Sequence, residues 1–570
     1  MPKRRIQRDS EDSEKRFGAL RLSNLKRQPV TVEFEQRKNA PEATGSSLAG
    51  WNHIPFGALA VLLAAFYAYG PVLYGRFVFD DFGLPFYSPT RSQQPLLEWI
   101  RNERPLLMLT YWFNFQISER NTFSYHIVNV LIHATTAIIL FFITRRLLEL
   151  FEYRHSARDI VAAIVSAVFL LHPLQTESVA YIAGRSECLS ALFMVSAYYL
   201  FLRAGSGQIS WPRAAAIVLL FVCALAVKEH TVVLPALFIL TDVIPRNDSI
   251  LAAIRRRSRL YIVLGFIFAI GVISGIRALA TSTSAGFGLA DFTWYQYLLT
   301  QFRVIWLYIR LFVLPVEQNA DYIIAVSRTL ADPAPWIGLG ALLLAILVAA
   351  KYRYRYRLAW FGVLLFLLLL SPTSSFLPIK DAAVERRMYL PSFALLLICI
   401  DLLREVRIKP LLVGSACVFV ALFAATRARA HLWSSGATLW EDVLAKSPHN
   451  LRGYTHLVYG YLRERRCADA VRRLDHLPPS IQPDVPLLVS WSHVYTCLSR
   501  YDDAIAKLEE ATAQKPSADV YTLIAVAQRR LGNDPAARAA IEEALVLDPN
   551  FEAAQAVRQE LAGDSSKPEN

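Results

Sequence analysis

The sequence predicts an all-α protein in which a polytopic helical membrane domain of about eleven spans is followed by a soluble helical solenoid. The 570-residue chain is 54% hydrophobic, with a mean hydropathy of +0.32, whereas an ordinary soluble domain is about 45–50% apolar. Apolar runs of span length recur up to about residue 427 and then stop. A helical repeat follows, which explains why the apolar runs end there.

These changes in composition predict three regions. Residues 1–52 mix acidic and basic side chains without apolar periodicity, which predicts a disordered, basic, cytoplasmic tail. Residues 53–427 form the membrane domain, and residues 428–570 form the repeat domain. No apolar core appears before about residue 56, so a cleaved signal peptide is not expected. The net charge of +13 lies mostly in the tail and in short loops, a membrane-topology pattern that predicts no nucleic-acid partner.

The apolar runs and the basic loops together predict a topology. A span needs about 20 mostly apolar residues. The candidate spans are 56–74, 124–144, 160–176, 187–203, 213–228, 231–245, 259–280, 335–351, 357–372, 388–403 and 409–426. The segments expected in the cytoplasm are the tail, 145–158, 202–213, 255–259, 351–357 and 403–409. Only one order of alternating membrane crossings places all of these basic segments in the cytoplasm. In that order the N-terminus is cytoplasmic and the repeats are periplasmic or lumenal.

Residues 292–314 are the exception, because this apolar segment carries Arg303 and Arg310. If it crossed the membrane, the basic segment 351–357 would be forced outside. We therefore predict a re-entrant or interfacial helix on the non-cytoplasmic side.

The same alternation gathers on the outer face nearly all charged residues that topology does not explain. They are Asp80, Asp81, Arg104, His172, Glu177, Arg185, Glu187, Lys228, Glu229, Lys380, Glu385, Arg386 and Arg387. A carboxylate pair beside a membrane and neighbouring cations suit transfer from a lipid-linked phosphate donor to a hydroxyl. The hydroxyl needs a general base, and the departing phosphate needs Arg or Lys. Alternatively, one Asp of the pair caps a helix and the other is solvated.

The C-terminal third repeats with a fixed period. Ala470, Ala504 and Ala537 are spaced by 34 and 33 residues, which is the tetratricopeptide period. Such solenoids hold extended peptides on a concave face, although a folding or dimerisation appendage is the alternative. Cys467 and Cys497 lie in this domain and are able to pair in an oxidising compartment.

Several blocks together resemble the transmembrane and tetratricopeptide-repeat protein O-mannosyltransferases, which belong to the glycosyltransferase C superfamily. The blocks are FVFDD (77–81), RPLLMLTYWFNFQISERNTFSYHIVNVLIH (104–133), HPLQTESVAYIAGRSECLSALF (172–193), AVKEH (226–230) and ERRMYLPSF (385–393). The domain order agrees over residues 50–563. The chain departs from the family pattern in its short repeat array and in His230, which stands where Gln is common.

The resemblance implies that one sugar, mannose or another hexose, moves from a polyprenyl-phosphate donor to Ser or Thr of an exported protein by inverting displacement. It makes Asp80 the general base, and Asp81 would position the acceptor or the sugar. Arg386 is the first candidate for the donor phosphate, with Lys228, Arg185 and Arg303 as alternates. The other candidate donor-site residues are Arg104, His172, Glu177 and Glu385. No metal or other cofactor is implied.

Other polar residues have simpler interpretations. His126 and His133 lie about 10 Å apart along one helix face, so helix–helix hydrogen bonds are favoured over a shared metal. Glu177 and Glu187 flank Arg185 and are interpreted as its ion partners. His172 is interpreted equally as a helix cap or as a donor contact.

Lys228 and Glu229 form either a buried structural pair or, as we favour, part of the functional site.

Two alternatives to protein glycosylation stay open at this point. One is sugar transfer to a lipid or an envelope polysaccharide, and the other is a non-catalytic transporter or scaffold that uses the same repeats. The modest length and few repeats favour a bacterial inner membrane over the endoplasmic reticulum.

Overall fold

The computed structural model describes residues 54–101, 104–205, 207–282, 284–289 and 292–564. The predicted tail, residues 1–52, lies outside these ranges. Within them the regular structure is helical, with one isolated bridge between Ala285 and Ile379. The predicted all-α class is therefore confirmed.

The part of the described chain before the repeats folds into helices of very different lengths. They are α1 (Ile54–Ala68), α2 (Pro89–Ser92), α3 (Leu96–Ile100), α4 (Pro105–Ser118), α5 (Thr122–Leu150), α6 (His155–Leu171), α7 (Thr176–Ala180), α8 (Arg185–Arg203), α9 (Trp211–Leu225), α10 (Leu234–Val243), α11 (Ile250–Arg256), α12 (Ser258–Thr281), α13 (Trp294–Val313), α14 (Pro333–Lys351), α15 (Arg357–Leu370), α16 (Pro391–Leu402) and α17 (Ile408–Leu432). Short 3-10 helices at Gly70–Val72, Phe79–Gly83, Pro85–Tyr87, Pro173–Gln175, Glu229–Val233 and Glu385–Met388 connect some of them.

The predicted count of eleven spans is not supported. Among the described residues, α5, α12, α14 and α17 are long and apolar enough to cross a membrane, and a fifth span is possible if α6 and the segment Pro173–Ala180, bent by 52°, act together. Several predicted spans are shorter as helices. For example, α16 has 12 residues, about 18 Å of helix against a hydrocarbon core of about 30 Å. The apolar stretches that predicted these spans include a short helix together with the turn beside it, so the predicted spans are longer than the helices.

The exceptional segment 292–314 forms one unbroken helix, α13, of 20 residues. It buries one face, which includes Tyr297, Val304 and Tyr308. Because the helix does not turn back on itself, the re-entrant form of the prediction is wrong, and the interfacial form stays a prediction.

The repeats fold as the spacing predicts. After α18 (Gly436–Lys446), helix pairs stack in order: α19 (Leu451–Arg463) with α20 (Cys467–Asp475), α21 (Val485–Cys497) with α22 (Tyr501–Gln514), α23 (Ala518–Arg530) with α24 (Asp534–Leu547), then α25 (Glu552–Asp564). The repeated Ala470, Ala504 and Ala537 are fully buried. Small side chains at these positions let the paired helices approach closely.

One hydrophobic core joins the first repeat to the preceding helices. Trp433, Trp440 and Leu457 belong to the same buried cluster as Tyr69 and Tyr389. A second cluster holds the later repeats together, with Leu508, Ile541 and Leu561 among its members. The first repeat is therefore packed against the part of the chain that carries the polar cluster.

A disulfide bond joins Cys467 of α20 to Cys497 of α21, with 6.3 Å between the Cα atoms. The pairing that the sequence left open is thus present, and it links the first complete repeat to the second. Because disulfides persist in oxidising compartments, the bond agrees with a periplasmic or lumenal repeat domain.

Replacing Cys467 and Cys497 together with Ser should lower the free energy of unfolding of the repeats by about 2–4 kcal/mol, because the bond restricts the unfolded chain. Urea unfolding followed by limited proteolysis measures this loss. The matched control is Cys417→Ser, which removes an exposed free thiol of α17. Equal resistance of the double variant and the wild-type protein would show that the bond does not stabilise the repeats.

Candidate active site

The carboxylate pair lies in the 3-10 helix Phe79–Gly83, which follows α1. Its two side chains differ sharply: Asp80 is exposed, whereas Asp81 is 1% exposed. The Asp81 Oδ2 atom accepts a hydrogen bond from the Val78 N–H at 3.0 Å, and its Oδ1 atom accepts one from the Ala183 N–H at 2.8 Å. Asp81 therefore ties the loop to the turn before α8. These contacts support a role in holding the loop, not the predicted contact with acceptor or sugar.

Burial raises the pKa of Asp81 to about 8, although the hydrogen bonds from Val78 and Ala183 act in the opposite direction. The charge of the neighbouring Asp80 adds to the rise. Because the ordinary value is 3.8, this carboxyl group holds its proton in the folded protein well above the pH at which it would ionise in the unfolded chain.

This raised pKa predicts a pH-dependent contribution to stability. The contribution is complete below about pH 4, where both states are protonated, and it is lost as the pH rises from about 4 to about 8. We expect the stability advantage of the wild-type protein over Asp81→Asn to shrink between about pH 4 and pH 8. Thermal unfolding across this range measures it, with Asp502→Asn on the exposed face of α22 as the control. An advantage that is constant with pH would contradict the assignment.

Phe79 fixes the loop against the first repeat. Its backbone φ of 51° is uncommon for a residue other than glycine. The ring centroid lies 5.3 Å from that of Trp440 and 5.1 Å from that of His456. The Arg452 guanidinium lies 5.6 Å from the centroid of the same ring, and the Tyr181 ring stacks on it with the centroids 6.1 Å apart. The loop is therefore enclosed between the Tyr181 turn and helices α18 and α19.

Tyr181 also holds Asp80. The Asp80 backbone N–H donates to the Tyr181 hydroxyl at 2.8 Å, and this hydroxyl also hydrogen-bonds the Asp80 side chain. Burial and the nearby charges of Asp80 and Asp81 raise the pKa of Tyr181. The phenol therefore stays neutral and orients the Asp80 carboxylate, whose other side faces solvent.

Arg386, the first candidate for binding the donor phosphate, is held in place by Glu177. Its backbone N–H donates to the Glu177 Oε2 atom at 2.8 Å, and its guanidinium pairs with the Glu177 Oε1 atom. The Arg386 side chain keeps 21% of its surface exposed, whereas that of Glu177 keeps 2%. The charge of Arg386 acts on Tyr181 as well, which places the cation beside the residue that holds Asp80.

A second set of charges lies next to the first. The Glu187 carboxylate pairs with the Lys228 ammonium, and the Glu187 Oε2 atom lies 3.7 Å from the His230 Nε2 atom. Glu229 instead binds Arg104 through two contacts, at 3.0 and 3.1 Å. The alternative in which Lys228 and Glu229 form a buried structural pair is therefore wrong, because the two side chains bind partners on different elements.

These groups open onto a cleft between α8, α15 and α16. It is narrow, with a cavity volume of about 20 Å³, and Glu187, His230 and Arg386 line its polar end. The remaining lining is partly apolar, with Ala191, Met194, Leu369, Leu390 and Pro391, and partly polar, with Thr373, Arg387 and Tyr389. The cleft thus offers cations and apolar surface side by side, which a lipid phosphate requires.

Arg185 lies outside this cleft and is fully buried. Its guanidinium donates to the Asn129 Oδ1 atom at 2.8 Å and the Asn114 Oδ1 atom at 2.6 Å. It also donates to the Tyr125 carbonyl oxygen at 3.0 Å and lies 4.6 Å from the Tyr111 ring. The interpretation of Glu177 and Glu187 as its ion partners is wrong, since polar neutral groups and aromatic rings surround it. Arg185 joins α4, α5 and α8 and has no donor directed at the cleft.

His172 acts as a helix cap. Its Nδ1 atom accepts from the Leu174 N–H at 3.2 Å, and its Nε2 atom lies 2.9 Å from the Phe312 carbonyl oxygen. His133 makes the predicted interhelical hydrogen bonds, to the Tyr389 hydroxyl at 2.8 Å and the Leu170 carbonyl oxygen at 3.1 Å.

Glu385 and Arg303 both bind the segment 318–327. Glu385 is fully buried and accepts from the Asn319 N–H and the Tyr322 hydroxyl, at 2.7 and 2.8 Å. Arg303 donates to the Ala325 carbonyl oxygen at 3.0 Å. These contacts give both residues a role in ordering the segment.

Four residues of this site were not among the predicted ones: Tyr181, Trp440, Arg452 and His456. Tyr181 lies inside the block 172–193, which drew attention to it without assigning a role. No sequence pattern marks Trp440, Arg452 or His456 as site residues, because only the packing of the first repeat brings them to Phe79.

Comparisons with known proteins bear on this arrangement. No protein-family model matches the chain. Protein O-mannosyl-transferase F38B6.6 of Caenorhabditis elegans is 25% identical over 405 residues, which cover 67% of this chain and 56% of the relative. This chain is similar to protein O-mannosyl-transferases. Human protein O-mannosyl-transferase TMTC3 is 30% identical over 132 residues, 23% of this chain and 13% of the relative.

Human protein O-mannosyl-transferase TMTC1 is 27% identical over 227 residues, which cover 35% of this chain and 25% of the relative. The predicted resemblance to the protein O-mannosyl-transferases is confirmed, and the chain spans little more than half the length of the worm relative or a quarter or less of the human ones. A solved structure titled "Crystal structure of APC/C hetero-tetramer Cut9-Hcn1" aligns with 82% of the chain and 91% of its own at 13% identity. Its TM-score of 0.22 is too low to support any conclusion.

Proposed function

We propose that the protein is a membrane glycosyltransferase that moves one hexose, mannose by analogy with its relatives, from a polyprenyl-phosphate donor to Ser or Thr of exported proteins. One observation carries this proposal. The exposed Asp80 carboxylate is held by Tyr181 in a loop that contacts the first repeat through Phe79, and the charge of Arg386, which lines a partly apolar cleft, acts on the same tyrosine. A base, a phosphate-binding cation and a protein-binding module therefore meet at one place.

The chemistry is a single displacement. The Asp80 carboxylate takes the proton from the acceptor hydroxyl while the hydroxyl oxygen forms a bond to the anomeric carbon. The bond from that carbon to the phosphate oxygen breaks, and the electron pair leaves with the polyprenyl phosphate. Arg386 stabilises the charge that develops on the phosphate, with Lys228 as a further cation. Attack from the face opposite the phosphate inverts the configuration.

The lining of the cleft suits the donor chemically, and its cavity volume of about 20 Å³ requires the cleft to widen when the donor binds. Its phosphate would lie at the polar end, beside Arg386 and His230, and its prenyl chain along Met194, Leu369 and Leu390. The Cys467–Cys497 bond supports placing the repeats in an exporting compartment. We retain the bacterial inner membrane as the proposed host membrane.

The proposed function predicts a mass change on exported proteins. Intact-protein mass spectrometry of secreted and periplasmic or lumenal proteins, from cells with and without the gene, should show loss of single hexose units when the gene is deleted. Purified protein with polyprenyl-phosphate mannose and a candidate acceptor peptide gives the direct assay. A change confined to lipid or envelope polysaccharide would favour transfer to those acceptors, and no glycan change would favour a non-catalytic scaffold or transporter.

A further inference from the structure

A second pocket lies between the C-terminal ends of α5 and α8. It has a cavity volume of about 290 Å³, opens to solvent and is lined by Phe142, Arg145, Arg146, Glu149, Tyr199 and Arg203. None of these residues contributes to the candidate active site. Three guanidinium groups around one cavity require a physical explanation, because like charges repel unless an anion lies between them.

The pocket lies at the opposite end of the helices from the active site. Arg185, in the first turn of α8, bonds Asn129 near the start of α5, and α8 then runs 18 residues to Arg203. That distance is about 27 Å at 1.5 Å per residue. Since α5, which packs against α8, is long and apolar enough to cross a hydrocarbon core of about 30 Å, we infer that the pocket lies near the headgroup level of the other membrane face.

The charges around the pocket do not balance. Arg145 pairs with Asp159 at 2.5 Å, and Arg146 pairs with Glu149 at 2.5 Å. Within the part of the chain that the structure describes, Arg203 forms no ion pair with a carboxylate, and its guanidinium reaches only the Tyr199 hydroxyl, at 3.3 Å. Three cations and two carboxylates leave one positive charge in excess, which is the charge that a phosphodiester monoanion neutralises.

Two further features favour a bound anion that carries an apolar portion. The Nε atom of Arg146 is buried without a hydrogen-bond partner, and an unpaired buried donor is costly. Phe142 and Tyr199 contact each other, with ring centroids 5.8 Å apart, and give the pocket an apolar wall. Basic residues at the ends of spans are common, but a topological signal requires neither a cavity nor an aromatic wall.

We propose that this pocket binds the phosphodiester headgroup of an anionic membrane lipid. The phosphate lies between Arg203 and Arg146, and the glycerol region lies against Phe142 and Tyr199. Basic pockets between membrane helices bind such headgroups in other proteins. Free inorganic phosphate offers the same charge, but it has no apolar portion to occupy the aromatic wall.

Native mass spectrometry of the full-length protein tests this, with phosphatidylglycerol and phosphatidylcholine supplied in equal amounts. We expect one phosphatidylglycerol to be retained in preference to phosphatidylcholine. Arg203→Gln should reduce its retention about tenfold, because one charge-assisted hydrogen bond is lost. The control Arg355→Gln changes a basic residue outside the pocket and should retain the lipid like the wild-type protein.

Equal retention of the two lipids by the wild-type protein would overturn the proposal, and this comparison requires no variant to fold. Equal loss of phosphatidylglycerol in Arg203→Gln and Arg355→Gln would overturn it as well. A parallel titration uses inorganic phosphate alone and follows thermal unfolding. Stabilisation by phosphate that depends on Arg203, without lipid preference, would assign the pocket to a soluble anion and overturn the lipid headgroup as its occupant.

Discussion

Asp80→Asn should abolish sugar transfer, lowering kcat by roughly 10²- to 10⁴-fold, which is the usual contribution of a general base. The amide has the shape of the carboxylate but cannot accept the proton of the acceptor hydroxyl. The fold should be unaffected, because Asp81 and the Asp80 backbone N–H hold the loop independently of this side chain. Transfer of hexose from polyprenyl-phosphate mannose to an acceptor peptide, followed by mass spectrometry, measures the loss.

Two comparisons make this result specific. Asp502→Asn, an exposed residue of α22, should transfer sugar at the wild-type rate. Donor retained by the purified Asp80→Asn protein, measured by native mass spectrometry, should match that of the wild-type protein. Wild-type turnover in Asp80→Asn would exclude Asp80 as the base, and loss of donor binding together with turnover would point to a binding role instead.

Arg386→Gln should weaken donor binding roughly 10- to 150-fold, because a hydrogen bond to a charged group contributes about 1.5–3 kcal/mol. It also leaves the buried Glu177 carboxylate without its cation, and breaking a buried pair costs about 3–5 kcal/mol of stability. The variant should therefore both bind donor poorly and unfold at a lower temperature. Donor titration and thermal unfolding measure the two effects separately.

The double variant Glu177→Gln/Arg386→Gln separates the two roles. Removing both charges should restore much of the stability, since no unpaired charge remains buried, but it should leave donor binding weak. Recovery of donor binding in the double variant would show that Arg386 serves only to pair with Glu177. Arg328→Gln, an exposed residue of the segment after α13, is the matched control and should resemble the wild-type protein in both measurements.

The repeat domain and the identity of the candidate base were within reach of sequence reasoning, for different reasons. Repeats contact their sequence neighbours, so a local spacing of alanines suffices to place them. The motif FVFDD predicted the candidate base, and the structure distinguishes the two carboxylates of that motif because one is buried and the other is exposed. The number of membrane spans was harder to predict, because the hydropathy averaged over a stretch of sequence does not show the turns that divide the short helices.

Ion pairing could not be derived from the sequence. Glu187 and Arg185 are two residues apart on one helix, and residues at that spacing point in different directions. Their partners come from elsewhere: Lys228 for the glutamate, and Asn114 and Asn129 for the arginine. The partner of a buried charge is the group that helix packing places within bonding distance of it.

Composition, periodicity and ordered motifs were enough to establish a helical membrane protein with tetratricopeptide repeats and a resemblance to O-mannosyl-transferases. These properties are local or additive along the chain, so no knowledge of packing was needed. The enclosure of Phe79 by Trp440 and His456 joins segments more than 350 residues apart. Only the tertiary structure decided that contact, because aromatic contacts require precise distances that no local pattern encodes.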